Sequence, residues 1–113
     1  GGRSAGNSDI AEARKTVAVA DYEKTLQQGF REIADLLAAR EQYAEQLAAQ
    51  DAATKAQGER QRIVEARHNA GLSSYLELLD AQRDYFAAQQ SALAIRRLQL
   101  ANTASLYKAL ALY

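Results

Sequence analysis

One helix stops and another starts within a few residues, and that interval sets what this chain can fold into. Arg67 and His68 carry basic side chains where a helix C-terminus presents unpaired carbonyls. Gly71 follows, the residue type that enters the left-handed conformation of a helix C′ position without a Cβ penalty. Ser74 stands three residues before Glu77, the Ser-x-x-Glu pattern of a capping box that opens a new helix. So short an interval leaves room for a tight reversal and nothing else. The sequence therefore predicts an all-α chain, a long antiparallel, coiled-coil-like helical hairpin with its tip at residues 69–74. Gly71, Leu72 and Ser73 are expected to be exposed there, in a reversal too tight for bulk.

Nothing on either side opposes helix. The 113 residues contain no proline, and Ala, Leu, Gln, Glu and Arg, all good helix formers, dominate over β-branched residues. Residues 1–7 are small, polar and glycine-rich, which predicts a flexible or extended lead-in, with Ser8 or Asp9 as the first N-cap. A first helix then spans 8–68. Gly29 and Gly58 interrupt it at a cost of about 1 kcal/mol each relative to alanine. At about 1.5 Å per residue such a helix runs on the order of 90 Å, a length that belongs to coiled coils and tubes. The second helix spans 75–111, so the first overhangs it by several turns. Gly1-Gly2-Arg3 is not a natural opening, and the chain reads as one piece, a single domain fragment, of something larger.

Apolar spacing adds a second constraint. In the first helix Ile10 and Val17 lead to a 4-3-4 stripe of Leu26, Phe30, Ile33 and Leu37, continued by Ala44 and Leu47. Beyond Leu47 the stripe thins to Ala52, Ala53, Ala56, Gly58, Ile63 and Val64, small residues that predict a closer helix approach toward the tip. The second helix carries two stripes. One runs through Leu72, Leu76, Leu79, Arg83, Phe86, Gln90, Leu93, Arg97, Leu100, Ala104 and Tyr107; the other through Leu78, Ala81, Tyr85, Ala88, Ala92 and Ile95. Offset by one residue, they are expected about 100° apart around the helix. A two-helix hairpin needs one seam only. Two seams mean a neighbour on each side, as in a ring of helices; one broad face in a four-helix bundle is the other reading. Either way an isolated hairpin is expected to self-associate.

Charge and composition exclude several function classes. Fourteen basic and fourteen acidic residues are interspersed, for a net charge of zero, which argues against a nucleic-acid or anionic-lipid surface. There is no cysteine, hence no disulfide and no thiolate chemistry. No apolar run approaches a membrane span. With a lone histidine, no glycine-rich phosphate loop and no His/carboxylate metal spacing, neither an enzyme nor a cofactor is expected. The plainer roles of the polar residues are local. His68 complements the helix dipole, Glu77 serves as the capping-box partner of Ser74, and Asp80 pairs with Arg83 one turn on. Tyr22, Tyr43, Tyr75, Tyr85 and Tyr107 fit seam or rim positions.

The run Ala70-Gly71-Leu72-Ser73-Ser74-Tyr75-Leu76-Glu77-Leu78-Leu79-Asp80-Ala81-Gln82-Arg83 closely resembles the periplasmic tip of the TolC/OprM family of outer-membrane efflux channels. Asp84 to Gln90 and Leu106 to Leu110 are similar to the family's C-terminal region, Phe30 to Ala38 to its long second-repeat helix, and Gly1-Gly2-Arg3 to its strand-to-helix junction. On this resemblance the chain is roughly the last quarter of such a protein.

The resemblance implies a homotrimer in which repeated hairpins build a periplasmic α-barrel below a membrane-embedded β-barrel that lies outside this sequence. It places the protein in the outer membrane of a Gram-negative bacterium, with this portion periplasmic. The tip residues Ala70, Gly71, Leu72, Ser73 and Ser74 would dock a periplasmic adaptor that links the channel to an inner-membrane pump. The family's apolar and acidic constrictions fall by position on Leu76 and Asp80, with Glu77 and Arg83 beside them, and these four are the expected gate. Where some members carry an arginine just past the tip glycine, this chain carries Ser73. The alternative is a structural coiled-coil or adaptor hairpin that mediates protein–protein assembly.

Overall fold

The structure, a computed structural model, describes residues 2–113. Two helices account for nearly all of it: α1, Gly2–Asn69, and α2, Tyr75–Leu112. They run antiparallel in a rod of 104 × 18 × 15 Å. Among the described residues there is no strand, and neither helix is long and apolar enough to cross a membrane. The all-α hairpin predicted from the stop-and-start signal is the fold.

The lead-in is different from its expectation. Helix α1 already includes Gly2 to Asn7, and neither Ser8 nor Asp9 caps it. Propagation explains this: once a helix exists, each added residue contributes a hydrogen bond for two fixed dihedrals. No proline stands in these residues, and a glycine penalty of about 1 kcal/mol does not stop a helix already nucleated. The expected strand-to-helix junction begins at Gly1, outside the described residues.

The hairpin seam is an antiparallel heptad pattern. Helix α2 contributes Leu78, Ala81, Tyr85, Ala88, Ala92, Ile95, Gln99, Asn102, Leu106 and Ala109, spaced alternately three and four and all buried or half-buried. Helix α1 answers with Leu26, Gly29, Ile33, Leu36, Tyr43, Leu47, Gln50, Thr54, Gln57, Gln61, Val64 and His68. Phe30 and Leu37, expected in this stripe, are exposed, as is Ala44. The 4-3-4 run of the sequence straddles two faces, and the seam takes the glycine beside Phe30 and the leucine beside Leu37 instead. Gly29 is buried because the Tyr113 ring occupies the space its Cβ would need.

Three polar side chains cross the seam. Asn102 Nδ2 donates to the Leu36 carbonyl at 3.2 Å. Gln50 Nε2 and Thr54 Oγ1 both donate to the Ala88 carbonyl, at 3.2 and 3.1 Å. Flanking ion pairs, Arg60–Asp84 at 2.7 Å and Arg96–Asp51 at 3.3 Å, close the two sides. The ion pairs are solvent-exposed and contribute at most about 1 kcal/mol each. The half-buried amide and hydroxyl contacts fix register, since a slip would strand them among apolar neighbours. Toward the tip a Cβ on Gly58 would sit 3.1 Å from the Tyr85 ring, so the glycine makes room for that side chain in the seam.

Much apolar surface has no partner. Every residue of α1 from 4 to 25 is exposed, Ile10, Val17 and Tyr22 among them, because α2 reaches only to the level of Gly29. The other stripe is largely bare: Leu72 just before α2 and Leu76, Phe86, Leu93, Leu100 and Tyr107 on it are exposed, while Leu79 is half-buried. On a 3.5-residue repeat its two positions lie about 100° and 150° from the first seam position, so it looks largely away from α1. Surface of this extent does not stay wet in a soluble monomer. The isolated hairpin is therefore expected to sediment as a dimer or larger bundle at tens of micromolar concentration. A stable monomer there would mean that the outer stripe is not a seam.

Candidate functional site: the hairpin tip and the face behind it

Local hydrogen bonding builds the tip. Helix α1 ends with Leu72 N–H donating to the Arg67 carbonyl at 2.8 Å and Gly71 N–H to the His68 carbonyl at 2.9 Å. This is the paired bond pattern of a Schellman cap, and Gly71 adopts the φ of +77° that it requires. A Cβ at Gly71 would meet nothing within 4 Å. The constraint on Gly71 is thus its backbone conformation; the expectation that the reversal is too tight for bulk is corrected. Helix α2 opens with Ser74 in an extended conformation, its hydroxyl accepting from Glu77 N–H at 3.1 Å. Such a cap contributes about 1 kcal/mol.

Between the two caps, Ala70, Gly71, Leu72 and Ser74 are exposed and Ser73 is buried. The expectation that Ser73 would be exposed is overturned by two partners from the last turn of α1. Arg67 Nε donates to Ser73 Oγ at 3.2 Å, and His68 Nδ1 lies 3.0 Å from the Ser73 carbonyl oxygen. An oxygen acceptor requires the proton on Nδ1, so this contact selects that tautomer or the imidazolium. The His68 ring also leans on Tyr75, centroids 6.1 Å apart at 59°. The tip is therefore braced from inside while Leu72 projects outward, 68% exposed.

Leu76, Glu77, Asp80 and Arg83 are all exposed on the first turns of α2. Leu76 and Asp80, four residues apart, share one face on the side away from α1. Asp80 and Arg83 are not joined: among the described residues the ion pairs are Arg60–Asp84, Arg62–Glu59 and Arg96–Asp51. The neighbouring Asp84 flanks the seam and finds Arg60 across it; Asp80 faces outward and has no such reach. The Arg62 hydrogen bond and charge hold the Glu59 carboxyl below its ordinary range and raise the Arg62 guanidinium in turn. Among the described residues no three His, Cys, Asp or Glu side chains converge to hold a metal. What the region offers is an outward leucine with a carboxylate one turn behind it, on a braced reversal.

Sequence reading missed the Arg67–Ser73 contact and the polar seam positions Gln50, Thr54 and Asn102. Their signal was polar residues falling at heptad core spacing, legible only once the seam is known.

Comparison with known proteins places this geometry. The family profile described as outer membrane efflux protein matches residues 1–112. The probable efflux pump outer membrane protein TtgC of Pseudomonas putida is 44% identical over 102 residues, which cover 90% of this chain and 21% of that protein. The solvent efflux pump outer membrane protein SrpC of Pseudomonas putida is 43% identical over 96% of this chain and 23% of its own length. The cation efflux system protein CusC of Escherichia coli O157:H7 is 38% identical over 96% of this chain and 24% of its own. The chain thus spans less than a quarter of these relatives. A crystal structure of CusC, from work on folding and transmembrane channel formation, superposes with a TM-score of 0.74 at 38% identity, covering 90% of this chain and 24% of that one. A match over nearly every residue, in sequence and in hairpin shape, means that this chain belongs to the outer membrane efflux protein family.

Proposed function

We propose that this hairpin is one stave of the periplasmic α-barrel of a trimeric outer-membrane efflux channel. Its tip is the docking point for the adaptor of a tripartite pump, and Leu76 and Asp80 face the lumen as a gate. The observation that carries the reading is the bare second stripe. A hairpin already sealed along Leu78 to Ala109 still presents Phe86, Leu93, Leu100 and Tyr107 on its outer side, as a stave needs for the next one. The exposed Ala70, Gly71 and Leu72 support docking, since a braced end with one projecting leucine loses little conformational entropy on binding. The role is that of a conduit. Glu77 and Arg83 flank the gate pair and tune its local charge.

The test is cross-linking in the full-length protein with any other cysteines replaced. Asp80→Cys in a resting trimer is expected to give covalent oligomers with a short bifunctional maleimide, because copies of the lumen face meet near the axis. Monomer alone, from protein shown to be trimeric, would move residue 80 off the lumen and remove the gate assignment.

A further inference from the structure

The Ala88 carbonyl has more donors within reach than it has lone pairs. It lies within α2, where it is the acceptor for the N–H four residues on, that of Ala92. Gln50 Nε2 and Thr54 Oγ1 also aim at it from α1, at 3.2 and 3.1 Å. A carbonyl oxygen has two lone pairs, so three donors compete. The Thr54 hydroxyl has a single proton and two acceptors in reach, Ala88 across the seam and the Gln50 carbonyl of its own helix at 2.8 Å. Gln50 Nε2 lies 3.4 Å from that same hydroxyl, so the three groups form one knot.

The knot also divides the seam. Fourteen residues separate Leu36 from Gln50, and fourteen separate Ala88 from Asn102. The Asn102–Leu36 contact and the Gln50–Ala88 contact are thus reciprocal pins two heptads apart, one donated by each helix. Between and beyond them toward the open end, Leu36, Tyr43 and Leu47 meet Ala92, Ile95 and Leu106. On the tip side Gln57, Gln61 and Val64 of α1 share the seam with Leu78, Ala81 and Tyr85 of α2.

We infer that α2 has a built-in hinge at Ala88–Ala92, where the Gln50–Thr54 knot draws hydrogen bonding away from the Ala92 amide. Side-chain donation into a helix carbonyl is a recognised way to loosen and bend a helix. Thr54 switches the donation on and off by rotating its hydroxyl between Ala88 and Gln50. The inference stands on these contacts and does not depend on the gate or docking assignments.

Amide hydrogen exchange on the full-length protein in detergent micelles tests it, with fragmentation that isolates single amides. The Ala92 amide is expected to exchange about fivefold faster than those of Tyr85 and Gln99, the equivalent seam positions one heptad either side, as a bond weakened by under about 1 kcal/mol would give. In the Gln50→Leu/Thr54→Val double variant Ala92 is expected to slow toward its neighbours, while Thr54→Ser, which keeps the hydroxyl, leaves it fast. A merely structural knot has the opposite sign, since its loss would speed exchange on both helices. Equal exchange at Ala92, Tyr85 and Gln99 in the unaltered protein overturns the hinge, and so does a double variant in which Ala92 exchanges faster.

Discussion

Gly71→Val in the full-length channel is expected to abolish or severely reduce export while the protein still reaches the outer membrane as an assembled oligomer. Gly71 has a φ of +77°, where a β-branched residue is strained by about 1–3 kcal/mol. Relief of that strain breaks the bonds from Gly71 to His68 and from Leu72 to Arg67, which set the direction of Leu72. On α2 the seam begins at Leu78, past this turn, so assembly is spared. Open space around the missing Cβ supplies the control. Gly71→Asn adds more atoms than alanine would, yet asparagine tolerates the left-handed region, so it should export nearly as the unaltered protein does. The measurement is accumulation of an exported dye in cells, alongside outer-membrane levels of each variant. Full export by Gly71→Val at normal levels would show that the docking reading is mistaken, and equal loss in both variants would point to side-chain bulk rather than backbone conformation.

How much of this was legible beforehand follows from the range of the interactions involved. The reversal at Gly71 and the start at Ser74 are fixed by contacts within six residues, so their residue types announce them. The two stripes of α2 were equally visible, because a heptad needs only its own helix. Which residues of α1 meet them was not. Leu26, Phe30, Ile33 and Leu37 are all apolar, and only the partner helix decides that Gly29 and Leu36 rather than Phe30 and Leu37 lie inward. Ser73 failed for a similar reason, since its burial depends on Arg67 and His68 turning back across the loop. The glycines before Asn7 spoke for coil, and cooperative helix growth overrode them. Leu76, Glu77, Asp80 and Arg83 are a different case. Their family resemblance marked them, but none of their side chains forms an ion pair among the described residues of this one hairpin.

The second large effect is therefore expected in the assembled trimer, at Leu76 and Asp80. In the proposed arrangement three leucines narrow the resting aperture and three carboxylates lie one turn along the wall. Among the described residues Asp80 has no arginine partner: it forms no ion pair with Arg83, and Arg60 is taken by Asp84. Three mutually repelling charges without built-in partners draw their compensation from solution, so cations collect at that level and anions are kept out. The two substitutions should then act differently. Leu76→Ala removes bulk without charge, and resting conductance in planar bilayers is expected to rise about twofold or more with ion preference unchanged, as pore width governs flux. Asp80→Ala removes charge with little change in width at Leu76, so the reversal potential in a salt gradient should shift toward zero while the aperture stays narrow. Divalent cations added from the periplasmic side should block the unaltered channel and Leu76→Ala, and lose their effect on Asp80→Ala. High salt should mimic the charge substitution and leave the leucine substitution unaffected, because screening at about 1 M shortens electrostatic reach to about 3 Å. If both variants conduct and select as the unaltered trimer does, Leu76 and Asp80 are wall residues facing a neighbouring stave, and the constriction is built by other residues.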